Sequence, residues 1–289
     1  MSTSAVVPPP KLQQQRDPLV FAGRLYIGLM FVFLLLPITT LIVFSFQKNQ
    51  YASIPGQGWS LRWYEKLFAD GALVAALENS LFISPVAATG ASILGFFAAY
   101  AVHRYSFPGR GVLIGVIMLP MLIPALILGI AFLGLLSRFG LEGHWYSVVI
   151  AHIVLVTAPA MAIIQLRLAQ MPASLEEAAW NLGATEWQSL TRVVLPYAMS
   201  GIAGGWLLAF TFSFDEFIIA WFVCGFTPTL PVSIYAYIVG SADPSLNAMA
   251  TIIFAVSCLV LLAVELLLIP MLIKGRPRKG EAAVLEAQA

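Results

Sequence analysis

Seven stretches of this chain run for 21 to 27 residues without a single Asp, Glu, Lys or Arg. They are Leu25–Gln47, Asn79–His103, Gly111–Ser137, Gly143–Leu166, Val193–Phe214, Phe217–Ala242 and Pro244–Val264. Each reaches the roughly 20 apolar residues that a helix needs to cross a bilayer. The composition closes off the alternatives. Hydrophobic residues make up 60% of the 289 and charged residues only 10%, against about 25% charged in soluble domains. One core cannot hide that much apolar side chain, and a soluble surface needs charge. The same numbers exclude disorder. The expected class is an all-α polytopic membrane protein, solvated by lipid.

Seven gaps need not be seven spans. Asp215 and Glu216 separate the fifth gap from the sixth, and the segment 225–231 reads GFTPTLP. Two prolines so close together mark a turn or re-entrant segment rather than mid-helix. Basic residues decide the count. Six spans put Lys11, Arg16, Arg24, Arg104, Arg110, Arg167, Arg192, Lys274, Arg276, Arg278 and Lys279 on the cytoplasmic side. Lys48, Arg62, Lys66 and Arg138 fall outside. Eleven against four obeys the positive-inside rule, with both termini cytoplasmic. A seventh span would export the terminal basic cluster. The expected helices are 25–47, 80–103, 111–136, 146–167, 200–223 and 247–273, the fifth carrying Asp215 and Glu216 within its length. Residues 1–23 and 275–289 read as polar cytoplasmic tails around a transmembrane domain at 24–274. The first apolar run is too long for a signal-peptide core and is expected to be retained.

The segment 169–197, on the cytoplasmic side between spans four and five, holds the most specific signal. Ser174 with Glu177 three residues on reads as a capping box, and Gly183 stands at a C-cap position. Thr185 with Gln188 repeats the box before a second helix that runs towards Pro196. Two short capped helices around one glycine predict a helix-turn-helix at the membrane surface. Its acids, Glu176, Glu177 and Glu186, run against the usual basic character of inner loops and suit a protein surface better than anionic lipid.

The order Glu177-Ala178-Ala179, three residues, Gly183, nine residues, Val193, one residue, Leu195-Pro196 resembles the EAA loop of ABC importer permeases. Val193 stands where that family most often has isoleucine. Two further stretches resemble the spermidine/putrescine branch. One is the run from Trp59 to Phe68 with Glu78-Asn79-Ser80; the other is Ser213 to Phe217 with Thr229-Leu230-Pro231. The resemblance covers about 25–273. It implies the six-helix fold of a type I importer permease in a bacterial inner membrane. It also implies a partner set: a second permease (a hetero- or homodimer), two ATP-binding subunits and an extracytoplasmic solute-binding protein. In that family the loop is the coupling helix that seats in a cleft of the ATP-binding subunit. Carried over, Glu176, Glu177, Ala178, Ala179, Gly183, Leu195 and Pro196 are the coupling-loop residues, with Gly183 letting the two helices pack and turn. The branch points to a polyamine solute, and it also imports other small organic solutes such as amino-acid derivatives.

Asp215, Glu216 and Glu265 are the acids inside expected spans. Carboxylates there are costly and usually face a bundle interior or a wet cavity. Asp215 and Glu216 project about 100° apart on a helix. They either line the pathway and attract a cation, or pair with a partner subunit, or cap a broken fifth helix. Glu265 fits a structural pairing or snorkelling role. Trp206, Phe210, Phe214, Phe217 and Trp221 step along the fifth span at helical spacing. Packing is the usual reason for such a stripe, and cation–π contact with a polyamine is the functional one, for which Phe214 and Trp221 are the candidates. Pro120 and Pro124 mark a kink in span three.

No metal-ligand spacing, GxSxG, CxxC or Walker A lysine motif occurs. The chain is thus expected to bind no cofactor or metal and to hydrolyse no ATP, leaving ATP and Mg to partner subunits. Cys224 and Cys258 fit free thiols in apolar segments, and the net charge of +1 makes no case for nucleic acid. Two other classes stay open: an integral-membrane enzyme using Asp215 and Glu216, and a stand-alone channel or carrier. The first lacks a nucleophile or second polar cluster, the second an evident internal repeat.

Overall fold

A computed structural model of the chain describes residues 18–49, 58–240 and 245–274. The two expected tails fall largely outside this range, as do 50–57 and 241–244, and the Glu265 side chain lies outside the described residues too. Twelve helices occur among the described residues: α1 (Pro18–Ser45), α2 (Arg62–Ala69), α3 (Gly71–Arg104), α4 (Arg110–Leu122), α5 (Ala125–Arg138), α6 (Trp145–Leu168), α7 (Ser174–Asn181), α8 (Glu186–Ser189), α9 (Leu195–Asp215), α10 (Ile218–Val223), α11 (Leu230–Gly240) and α12 (Ser245–Lys274). No strand accompanies them in those residues, only an isolated bridge between Gln47 and Trp59.

Five helical stretches are long and apolar enough to cross a membrane, and six if α4 and α5 count as one broken span. The sixth charge-free gap does not cross. It folds as the short α10 and α11, joined at the GFTPTLP segment. The fold is therefore the all-α polytopic one, with α1 starting at Pro18 ahead of the expected Leu25.

The centre is a packed trio of α3, α6 and α9. Glycine lets the three backbones approach. A Cβ on Gly95 of α3 would sit 2.9 Å from the Met161 nitrogen, and one on Gly205 of α9 would sit 2.9 Å from the Ala160 oxygen. Helix α6 is thus gripped from both sides at one level. Around that level Ala88, Ala91, Val156, Ala160 and Ala209 are fully buried. Small residues at close crossings are what helices in lipid need, because dispersion rather than water drives their association. Helix α1 lies outside this core, packs on α12, and exposes Phe21, Leu29, Phe33 and Leu36.

Two spans depart from the simple helices expected of them. The stretch 111–136 is not one kinked helix but two, bent by 106°. Pro124 has no N–H to donate to the preceding turn, and its ring clashes with the carbonyl four residues back. Ile123 before it is extended, at φ −83° and ψ 132°, as the residue ahead of a proline prefers. The fifth span ends at Asp215 rather than running to 223: Glu216 is extended, at φ −70° and ψ 121°, and α10 starts afresh at Ile218. Asp215 therefore ends α9 and Glu216 sits in the break that follows it.

The far end of the bundle is tied by α11 and its flanking loop. Asn79 Nδ2 donates to the Pro228 carbonyl at 3.0 Å, the Leu230 N–H donates to Ser80 Oγ at 2.8 Å, and the Tyr237 hydroxyl donates to Asp70. Trp63 and Leu67 of α2 pack against Ala248 and Met249 of α12 at that end.

Candidate functional site

The breaks after Leu122 and Asp215 face one another across α6. Between them lies a cavity of about 800 Å³, lined by Pro120–Ala125, by Leu155, Val156 and Pro159 of α6, and by Thr211, Phe212 and 215–218. Only the tertiary fold brings these breaks together, since Glu216 lies 92 residues beyond Pro124 in the chain. Asp215 and Glu216 are the charged residues among the described lining. Irregular backbone at membrane depth is tolerated where it lines a cavity, because the freed polar groups then find partners.

The two acids do different things. Glu216 is engaged by the protein: its Oε1 accepts from the Ile219 N–H at 3.0 Å and its Oε2 from the Ala220 N–H at 2.9 Å. It caps α10, satisfying two N–H groups that the helix start would otherwise leave open. His152 of α6 stands 3.6 Å from the same carboxylate, Nε2 to Oε2. Asp215 makes no such bonds among the described residues and is exposed to the cavity. Sequence patterning does not single out His152. The available signal was simply an ionisable group inside an apolar span.

Phe214 and Trp221 do not line the cavity. Phe214 is 1% exposed and packs with Ala88, Ala91 and Val156, stacked on Phe210 at 5.6 Å between centroids. Trp206 continues that stack, and its Nε1 donates to Thr89 Oγ1 on α3 at 3.0 Å. Trp221 turns outward against Phe217 and Tyr235. Of the aromatic stripe, Phe217 alone reaches the cavity wall. Cys224 is buried and Cys258 half-buried, both as free thiols.

The loop at 169–197 forms a second site at the other end of α6. The Thr185 box is present: Thr185 Oγ1 accepts from the Gln188 N–H at 3.3 Å, and Gln188 Oε1 accepts from the Thr185 N–H at 3.0 Å. The Ser174 box is not, because α7 begins at Ser174 itself and Ala173 takes the cap position. A first-turn serine has no need to reach back. Gly183 adopts φ +81°, and a Cβ there would meet nothing within 4 Å. The glycine thus serves the turn and not close packing. Past α8, residues Leu190–Val194 take a π-helical register that runs straight into α9, the Leu195 N–H donating to the Leu190 carbonyl. The wider register lets Pro196 enter the helix without striking the Arg192 carbonyl.

The loop residues divide by face. Glu177 and Ala178 are exposed, Ala179 half-buried, Leu195 half-buried and Pro196 exposed. Leu182 and Trp187 beside them are 88% and 68% exposed. Glu176 instead turns into the bundle and pairs with Arg104. Arg104 also lies over the Trp180 ring at 4.4 Å. Arg167 and Tyr197 close the same end: Arg167 Nε donates to the Tyr197 carbonyl at 3.2 Å, and the Tyr197 hydroxyl donates to the Gln170 carbonyl at 2.8 Å.

Comparison with known proteins fits this architecture. Residues 91–274 match the family described as binding-protein-dependent transport system inner membrane component. The spermidine/putrescine transport system permease protein PotC of Escherichia coli (strain K12) is 32% identical over 250 residues, covering 85% of this chain and 94% of PotC. The putrescine transport system permease protein PotI of the same strain is 36% identical over 231 residues, covering 77% and 82%. The sulfate transport system permease protein CysT of that strain is 30% identical over 265 residues, covering 86% and 92%. A bacterial ABC transporter that imports alginate superposes with a TM-score of 0.64 at 18% identity, covering 93% of this chain and 100% of that one. The MetNI methionine ABC transporter does so at 0.59 and 16%, covering 69% and 95%. The chain belongs to the binding-protein-dependent transport system inner membrane components, as a multi-pass permease subunit of an ABC importer.

Proposed function

We propose that this permease carries a small organic polycation of the polyamine class, with Asp215 as its solute-facing charge. One observation supports the reading above the others: an open carboxylate in a cavity whose described lining holds no Lys or Arg. Such a site attracts an ammonium group and repels an anion. The names of PotC and PotI agree with it. CysT, similar in identity, is a sulfate permease, and a carboxylate-lined cavity without a base does not suit sulfate.

The chain works with a second permease, two ATP-binding subunits and an extracytoplasmic solute-binding protein, both termini lying in the cytoplasm. The transmembrane domain is 24–274, and its first helix begins ahead of it at Pro18. The exposed face of 169–197, with Glu177, Ala178, Gly183, Leu182 and Trp187, docks the ATP-binding subunit. Glu176 holds the loop from within. ATP and Mg are bound by those partners. Closure of the nucleotide-binding pair moves α7 and rocks the helices, switching the cavity from outward to inward access.

The test is uptake of radiolabelled putrescine and spermidine by proteoliposomes holding the intact complex. ATP-dependent accumulation is expected, with Asp215→Asn lowering it at least tenfold while the complex still co-purifies. An active wild-type complex that ignores both amines, or an Asp215→Asn variant that carries them normally, overturns the assignment.

A further inference from the structure

His152 is the point in the molecule that neither packing nor the family assignment explains. It lies about a third of the way along α6 with 0% exposure. Its Nδ1 is 2.8 Å from Ser213 Oγ on α9, and its Nε2 points at Glu216 Oε2 from 3.6 Å without completing a hydrogen bond. A polar ring buried this fully carries a desolvation cost that demands a return elsewhere.

Chemistry places a proton on Nε2. If Nδ1 alone carried the proton, the Nε2 lone pair would face a carboxylate, which is repulsive. Whether the Ser213 hydroxyl donates to Nδ1 or accepts from it, Nε2–H then points at Glu216. The Ile219 and Ala220 N–H groups approach the same carboxylate from the other side. Three donors from two elements therefore converge on Glu216 and none on Asp215 among the described contacts.

We infer that His152 is a positioning residue for solute recognition: through Glu216 it fixes the backbone break at 215–217, so that Asp215 alone presents its charge to the cavity. Ser213 orients the ring, the ring and the start of α10 hold Glu216, and Glu216 is withheld from the solute. A pathway lined by two adjacent free carboxylates thereby becomes one with a single fixed charge. Preorganisation of this kind acts on affinity, because a group already aimed loses less on binding. The inference rests on the cationic-solute reading above for its transport readout, and not for its structural one.

Two measurements test it. In proteoliposomes holding the intact complex, His152→Leu is expected to raise the KM for putrescine about tenfold, with the rate at saturation within about threefold. His152→Gln, whose amide N–H can still reach Glu216, recovers most of that loss. The pair His152→Leu with Glu216→Gln is no worse than either alone, since both break one contact. Equal behaviour of the Leu and Gln variants, or additive effects of the pair, reduces His152 to packing and overturns the inference. The second measurement needs no solute. The chain has three histidines, so ¹⁵N-histidine spectra of the complex can be assigned by loss of one set in His152→Gln. A ring protonated at Nε2 whose shift moves in Glu216→Gln is expected. A ring protonated at Nδ1 alone, or a shift indifferent to Glu216, overturns the inference. If the wild-type complex carries no putrescine, the polyamine reading fails while the spectroscopic result still decides the role of His152.

Discussion

Arg104 at the end of α3 and Glu176 inside α7 form an ion pair at 3.4 Å, Nε to Oε2, with side-chain exposures of 27% and 8%. It is the described ion pair that crosses from the loop to the central trio. A face of α7 that must move with a partner is thereby fastened to α3, one of the three central helices.

Breaking this pair should uncouple the machine more than it unfolds it. An exposed pair contributes under about 1 kcal/mol, while removing one partner of a fully buried pair costs about 3–5 kcal/mol. Burial here is intermediate, so Arg104→Ala should cost about 2 kcal/mol by the same scale. Loss of the Trp180 contact is included. Solute transported per ATP hydrolysed should fall in reconstituted complex, while ATP hydrolysis persists. Equal falls in both would point to lost docking instead.

Gly183 offers a test of conformation separate from space. At φ +81° a side chain is strained, yet a Cβ would touch nothing. The cost of the left-handed region is about 1–2 kcal/mol for ordinary residues and less for Asn. Co-purification of the ATP-binding subunit should therefore weaken in the order Asn, Ala, Val, with membrane insertion unchanged. A large loss for Asn would mean that the partner itself packs against this glycine.

Gly95 and Gly205 present the opposite case, in which space decides. Their Cβ positions fall on the backbone of α6, and overpacking of this kind costs about 1–3 kcal/mol. Gly95→Ala and Gly205→Ala should each lower the unfolding temperature in detergent. The glycines at 95 and 205 grip adjacent α6 residues, so the double variant should be non-additive.

Asp70 ties the outer end. Its Oδ1 accepts from the Ala72 N–H at 3.0 Å, capping α3, while the Tyr237 hydroxyl donates to its other oxygen. Asp70→Ala removes both, at about 1–2 kcal/mol for the cap alone. The unfolding temperature in detergent should fall more than for Tyr237→Phe, which spares the cap.

Much of this architecture is legible along the chain. The charge-free runs, the placement of Lys and Arg and the Pro228/Pro231 pair suffice for an all-α bundle in which the sixth gap does not cross. The Thr185–Gln188 box and the turn at Gly183 are readable for the same reason: each is local, set by backbone donors within a few residues. The Ser174 box failed at the same scale, because Pro172 and Ala173 already carry the chain into the helix and Ser174 falls one position late.

What lies across the fold could not be read this way. Pro124 announces a kink, but its size of 106° depends on what α5 packs against, and that is α10, some ninety residues later. Asp215 and Glu216 are neighbours with the same charge. A local cap on the start of α10 takes up Glu216, and a tertiary contact, His152 of α6, faces the same carboxylate. The cavity is left to the other. Glu176 was likewise indistinguishable from Glu177 until Arg104, 72 residues upstream, turned it inward. Hydrophobic patterning is a property of neighbours in sequence and so fixes which segments enter the membrane. Which charge stays free is a matter of partners in space, because an acid in a low-dielectric interior is defined by the donors that reach it.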